Sequence, residues 1–146
     1  MKIMVAGPVG VGKTSLIYAL KKINSAARKT QAIAFIGDAI DTPGEYAQIP
    51  RFYSALMVTS LEAEVVLLLS DAADPAVTLP PNFAGMFARP IVGVVTKIDL
   101  PCADPAKAES RLRQAGVTAE VFPVSTLSGE GIDALYQFLK ERRCDL

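Results

Sequence analysis

Histidine and tryptophan are absent from this chain, and cysteine occurs only as Cys102 and Cys144. Without histidine the commonest proton carrier near neutral pH is missing, which excludes histidine-based acid–base catalysis. With no C-x-x-C spacing, the usual zinc constellations go too. The two thiols, far apart in sequence, are expected to be bystanders in a reducing cytoplasm. Net charge is also lacking: fifteen basic residues offset fifteen acidic ones, leaving no general attraction to nucleic acid or to an anionic membrane. The longest plain apolar run, Val65-Val66-Leu67-Leu68-Leu69, falls far short of the roughly 18 residues a membrane span needs. Cys144 stands third from the end, where a prenylation signal needs the fourth. The first strand begins almost at Met1, so no signal peptide is expected. A cytoplasmic protein whose 146 residues form one domain is the expectation.

Against these absences stands one dense motif. Gly7-Pro8-Val9-Gly10-Val11-Gly12-Lys13-Thr14 is a complete G-x-x-x-x-G-K-[ST] loop. It lies between an apolar strand at Lys2-Ile3-Met4-Val5-Ala6 and a helix opening with Ser15-Leu16-Ile17-Tyr18. The glycines let successive N–H groups curl inward, and the helix N-terminus adds partial positive charge at the same place. Residues Gly7, Val9, Gly10, Val11, Gly12, Lys13, Thr14 and Ser15 are thus expected to hold a polyphosphate. Lys13 would reach the β- and γ-phosphates, and the Thr14 hydroxyl would be one ligand of a bridging Mg²⁺. The bland alternative is a glycine-rich turn with a surface lysine.

Along the rest of the chain the first helix is expected to fade near Asn24, and residues 25–30, small and polar, to form an exposed loop. Residues 31–36, a Gly37-Asp38 turn and the short strand Ala39-Ile40-Asp41 read as a hairpin. Pro50 opens a helix on which Tyr53, Leu56, Met57, Ser60 and Leu61 recur at helical spacing. Strands are expected at residues 64–70, 90–96 and 120–124, with Asp71-Ala72-Ala73-Asp74-Pro75 a turn after the first of these. Residues 78–89, with two prolines and a glycine, leave room for a short irregular helix at most. Asp104-Pro105 starts a helix through Leu112 that ends near Gly116, and residues 128–143 form a last amphipathic helix. Strands separated by helices give an α/β fold, a three-layer sandwich with a mostly parallel sheet, ligands lying at the carboxyl ends of the strands.

Every suggestive cluster follows an expected strand. Asp41-Thr42-Pro43-Gly44 has the D-x-x-G form, in which the Asp41 carboxylate helps hold Mg²⁺ and the Gly44 N–H meets the γ-phosphate; it is also a good turn. In Thr96-Lys97-Ile98-Asp99 the Asp99 carboxylate can accept hydrogen bonds from guanine N1 and N2, which adenine does not offer, while the Lys97 stem covers one face of the purine. Ser125-Thr126-Leu127 can present a backbone N–H to guanine O6, and reads equally well as a loop leading into a helix capped by Ser128.

In this order and across the whole chain, these motifs resemble the Ras-like family of small GTPases. The resemblance implies GTP or GDP with Mg²⁺, and makes Thr30 a switch threonine that closes on the metal. Val9 stands where many fast-cycling relatives carry glycine, and Glu45 where Ras-type proteins use glutamine to orient water, so slow hydrolysis is expected. Glu45 would serve as a base only with a raised pKa. Arg28 is a candidate finger supplied in cis, or a solvated loop cation. Tyr46, Phe52 and Tyr53 are candidates for a partner surface, or for ordinary packing. Ala27-Arg28-Lys29-Thr30-Gln31 followed by Asp41-Thr42-Pro43-Gly44-Glu45-Tyr46 is similar, more closely, to the ethanolamine-utilisation EutP and propanediol-utilisation PduV family. That implies a bacterial protein working on or near a microcompartment, with a shell or enzyme partner. Two further functions stay open: ATP-dependent phosphorylation of a small carboxylic acid such as acetate, and a scaffold in which nucleotide only stabilises the fold.

Overall fold

The structure, a computed structural model, describes residues 2–30, 39–74 and 79–144, and leaves out the side chains of residues 24–30, 45 and 142–144. Five strands form one sheet in the order β2-β1-β3-β4-β5: β1 Ile3–Ala6, β2 Ala39–Asp41, β3 Val65–Asp71, β4 Ile91–Thr96 and β5 Val121–Pro123. All four pairings are parallel. β1 and β3 are buried at every residue, as a sheet covered on both faces requires, which is why they read as unbroken apolar runs.

Among the described residues five α-helices accompany the strands: α1 Lys13–Thr30, α2 Gly44–Gln48, α3 Tyr53–Ser60 and α4 Pro105–Gln114 between strands, and α5 Ile132–Cys144 after the last. Alternation along the strands divides the core. Ile3, Val5, Leu67 and Val94 face Leu16 and Leu20 of α1 and Leu135 and Leu139 of α5. Met4, Leu68 and Val95 face Leu56 of α3, Phe83, and Ala108 and Leu112 of α4. The chain leaves β1 toward β2 on one side and returns to β3 on the other, so the strand order reverses between β1 and β3 and opens a crevice at their carboxyl ends.

Several boundaries differ from the sequence expectation. α1 runs on to Thr30 instead of fading near Asn24, because Ala26, Ala27, Arg28 and Lys29 are all strong helix formers. The hairpin arm expected at 31–36 and its Gly37-Asp38 turn lie outside the described residues; β2, its other arm, pairs in parallel with β1. The turn expected after Asp41 becomes α2, and Pro50 opens a 3₁₀ turn, Pro50–Phe52, leading into α3. On α3 only Leu56 and Ser60 are buried, while Met57 and Leu61 are exposed. Residues 79–90 hold a 3₁₀ turn, Phe83–Met86, and Asp104 caps α4 through a hydrogen bond from the Lys107 amide, 3.1 Å, both as expected. α5 starts at Ile132 rather than 128, because Gly129 and Gly131 take φ of 87° and 79°, a left-handed backbone incompatible with an α-helix.

Candidate nucleotide-binding site

A cavity of about 640 Å³ occupies the crevice beyond β1 and β3, walled by the phosphate loop, the start of α1, residues 41–44 and Lys97. In the loop, Gly10 and Gly12 have φ of 78° and 106°, and a β-carbon on either would project into open space. The loop is therefore a curled, open cradle that only glycine forms without strain. Lys13, 8% exposed, donates to the carbonyls of Gly7 at 3.0 Å and Pro8 at 2.8 Å, so its ammonium lies against the first turn of the loop. Val11 is buried, while Val9 is exposed on the cavity rim.

Across the cavity stands the Asp41-Thr42-Pro43-Gly44 segment. The Thr14 hydroxyl donates to Asp41 Oδ2 at 2.5 Å, which brings two hard oxygen donors together at the mouth of the loop, a pair suited to Mg²⁺. Thr42, buried, donates to the Val5 carbonyl at 2.9 Å and fixes the segment to β1. Gly44 is packed directly on Val9. Glu45 follows as the second residue of α2, its side chain outside those described.

Thr30 and Arg28 are not brought to this place. With α1 helical throughout, Thr30 lies roughly 24 Å along the helix axis from Thr14. The expected loop at 25–30 is the last part of a helix, so a metal-closing Thr30 and a finger at Arg28 both require that part to unwind. Tyr46, Phe52 and Tyr53 are half-buried; Tyr46 and Tyr53 pack against the second core, and the Tyr46 and Phe52 rings stack at 4.6 Å.

The third group gathers at the ends of β4 and β5. Thr96, buried, donates to the Val11 carbonyl at 2.6 Å, so it fastens the phosphate loop to the sheet. Lys97 adopts φ of 62° and sends its ammonium to the Gly10 carbonyl at 2.6 Å and to Asp71 Oδ2 at 2.9 Å. Ser125, fully buried, donates to Asp99 Oδ1 at 2.8 Å and accepts the Ser128 amide at 3.1 Å, fixing the carboxylate plane and the 125–128 loop together. Thr126 is half-buried and Leu127 is exposed, and their amides donate to no acceptor among the described residues. Ser128 does not cap α5; its hydroxyl accepts the Glu130 amide instead.

Sequence reasoning missed Asp71, which it took for part of a turn. A signal was available, since Asp71 ends a strand, as Asp41 does, and Asp99 follows three residues after one. Burial raises the pKa of the Tyr136 phenol, but that group belongs to α5 and packs in the first core, outside the cavity lining.

The family model described as "Ethanolamine utilisation - propanediol utilisation" matches residues 1–141. The propanediol utilization protein PduV of Citrobacter freundii is 40% identical over 148 residues, 98% of this chain and 97% of that protein. The protein named "Probable acetate kinase EutP" in Escherichia coli K12 is 35% identical, covering 94% of this chain and 88% of its own length. Translation initiation factor IF-2 of Aquifex aeolicus is 29% identical over 94% of this chain, a stretch that makes up 19% of that larger protein. With a phosphate-loop α/β fold and a match over nearly its whole length, the chain belongs to the PduV–EutP family of ethanolamine and propanediol utilisation.

Proposed function

We propose that residues 1–146 form one Mg²⁺-dependent guanine-nucleotide-binding domain that hydrolyses GTP slowly. In this reading it acts as a switch or localisation factor in bacterial ethanolamine or propanediol utilisation, in the cytoplasm at or near a microcompartment. The observation that carries the reading is a chain of three bonds linking four separate segments: Thr14 with Asp41 and Lys97 with Gly10 at the cavity, and Asp99 with Ser125 at the neighbouring ends of β4 and β5. The first pair suits a metal and the last suits a base with two adjacent donors, guanine rather than adenine. The relative IF-2 contributes the same span of chain.

In the proposed cycle the amides of the loop and the Lys13 ammonium hold the β- and γ-phosphates and stabilise the charge that builds on them. Thr14 and Asp41 would hold a Mg²⁺, which would neutralise that charge. Lys97 lies along the base side, and Asp99, its plane set by Ser125, selects the purine. Val9, on the rim above the γ-phosphate position, crowds an approaching water or arginine, and the Glu45 carboxylate is a poor substitute for an amide that orients water. Calorimetry with GTP, GDP and ATP, with and without Mg²⁺, tests the reading: guanine nucleotides bind and ATP does not, and unaided turnover stays below about one per second. Absence of guanine-nucleotide binding at millimolar concentration overturns it.

A second reading comes from the relative named a probable acetate kinase. The cations lining the cavity among the described residues are Lys13 and Lys97, both engaged with loop carbonyls, so an acid substrate would need a holder from elsewhere. Formation of an acyl phosphate from ATP and acetate would establish that reading against the first. A Lys13→Ala variant that still serves the compartment would favour a scaffold.

A further inference from the structure

Lys97 carries a side chain on a left-handed backbone, φ of 62°, a conformation that persists only where the surroundings over-determine it. Its ammonium joins two groups, the Gly10 carbonyl in the phosphate loop and the Asp71 carboxylate at the end of β3. Asp71 is 6% exposed, and its other oxygen, Oδ1, accepts the amides of Ala73 at 2.8 Å and Asp74 at 3.2 Å. The surrounding backbone is held as well: Arg111 of α4 donates to the Asp71 carbonyl at 3.0 Å, and the Ala72 amide donates to the Thr96 carbonyl at 3.0 Å. The carboxylate is thus a rigid, desolvated anchor aimed at one cation.

We infer that Asp71 is a positioning residue for the nucleotide site: through its ion pair it holds Lys97 across the phosphate loop, coupling the loop at Gly10 to the base-reading segment at 97–99. This rests on the nucleotide-binding reading for its function, though not for its mechanics. A charge-assisted bond to a buried anchor is strong enough that its loss is felt at the site it orients.

Asp71→Asn separates the two jobs of the side chain, because asparagine keeps a carbonyl oxygen for the Ala73 and Asp74 amides while its NH₂ cannot accept from Lys97. In the full-length protein this variant should bind GDP about tenfold more weakly, the loss of one charge-assisted hydrogen bond. Lys97→Gln should also weaken binding, and the double variant should be no weaker than Lys97→Gln alone, since Asp71 acts through Lys97. In nucleotide-free Asp71→Asn, amide exchange should quicken in segments 7–13 and 97–100 and stay unchanged in α5. Wild-type GDP affinity in Asp71→Asn, or losses that add in the double variant, overturns the inference. If the wild-type chain binds no guanine nucleotide, the functional reading fails and amide exchange alone decides: quickened exchange in both segments upholds the clamp, and unchanged exchange refutes it. If Asp71→Asn does not fold, the same exchange comparison on Lys97→Gln decides in the same way.

Discussion

Gly44 is pressed so closely onto Val9 that a β-carbon at Gly44 would stand 2.5 Å from both the amide nitrogen and the α-carbon of Val9. The Asp41-to-Gly44 segment therefore touches the phosphate loop through backbone, and glycine is required there for close approach.

Gly44→Ala should force the two segments apart, costing about 1–3 kcal/mol of stability and weakening GTP binding more than GDP binding. Urea denaturation and nucleotide titration check both. Because the clash is with backbone, adding Val9→Gly, which relieves only the Val9 Cγ2 contact at 2.6 Å, should not restore stability. Full rescue by that second substitution would show that the side chain, and not the backbone, sets the spacing.

Asp99→Ala should reduce the preference for GDP over ADP by about tenfold or more, since it removes a charged acceptor that the base would otherwise meet. Competition binding reads this directly. Ser125→Ala, which frees Asp99 Oδ1 from its 2.8 Å partner, should give a smaller loss of the same kind.

Thr14→Ala should lower GTP affinity in Mg²⁺ by about tenfold or more and leave the affinity measured in a chelator unchanged, because the hydroxyl acts through the metal. Equal losses under both conditions would mean that Thr14 serves the phosphates or the loop instead.

Gly131→Ala tests the path into α5. A β-carbon there would run into the Pro123 carbonyl, and φ is 79°. Destabilisation of about 2 kcal/mol or more is expected in urea unfolding, with distortion of the Ser125 loop upstream.

The raised Tyr136 pKa fixes the sign of an alkaline effect. Below the ordinary value of 10.0 both folded and unfolded chains keep the phenolic proton; above it only the unfolded chain releases it, until the higher folded value is reached. Stability should therefore fall as pH rises past 10, and Tyr136→Phe should flatten that fall in unfolding curves recorded from pH 9 to 11.

Much of the fold was legible because its strands are buried on both faces and its turns are chemically marked. The phosphate loop, the parallel order and the Asp104-Pro105 helix start all rest on local rules that nothing remote overrides. Residues 25–30 were misread because small and polar composition suggests a loop, whereas alanine, arginine and lysine propensity sustains a helix. On α3 apolar residues surround the cylinder, so spacing could not tell buried Leu56 from exposed Met57 and Val58, or from exposed Leu61 just past the helix end. Asp71 was hidden for another reason: its partner Lys97 lies in a different segment, and an aspartate before two alanines looks like a turn until the strands are laid side by side.

The bond from Lys97 to the Gly10 carbonyl joins positions 87 apart in the chain. A nascent polypeptide emerging from the ribosome exposes its glycine cradle early, yet cannot close it until the fourth strand has been synthesised and docked. On the proposed nucleotide-binding reading, competence would be acquired late in biogenesis, and a truncated product ending before β4 would carry the motif without the Lys97 bond that closes it.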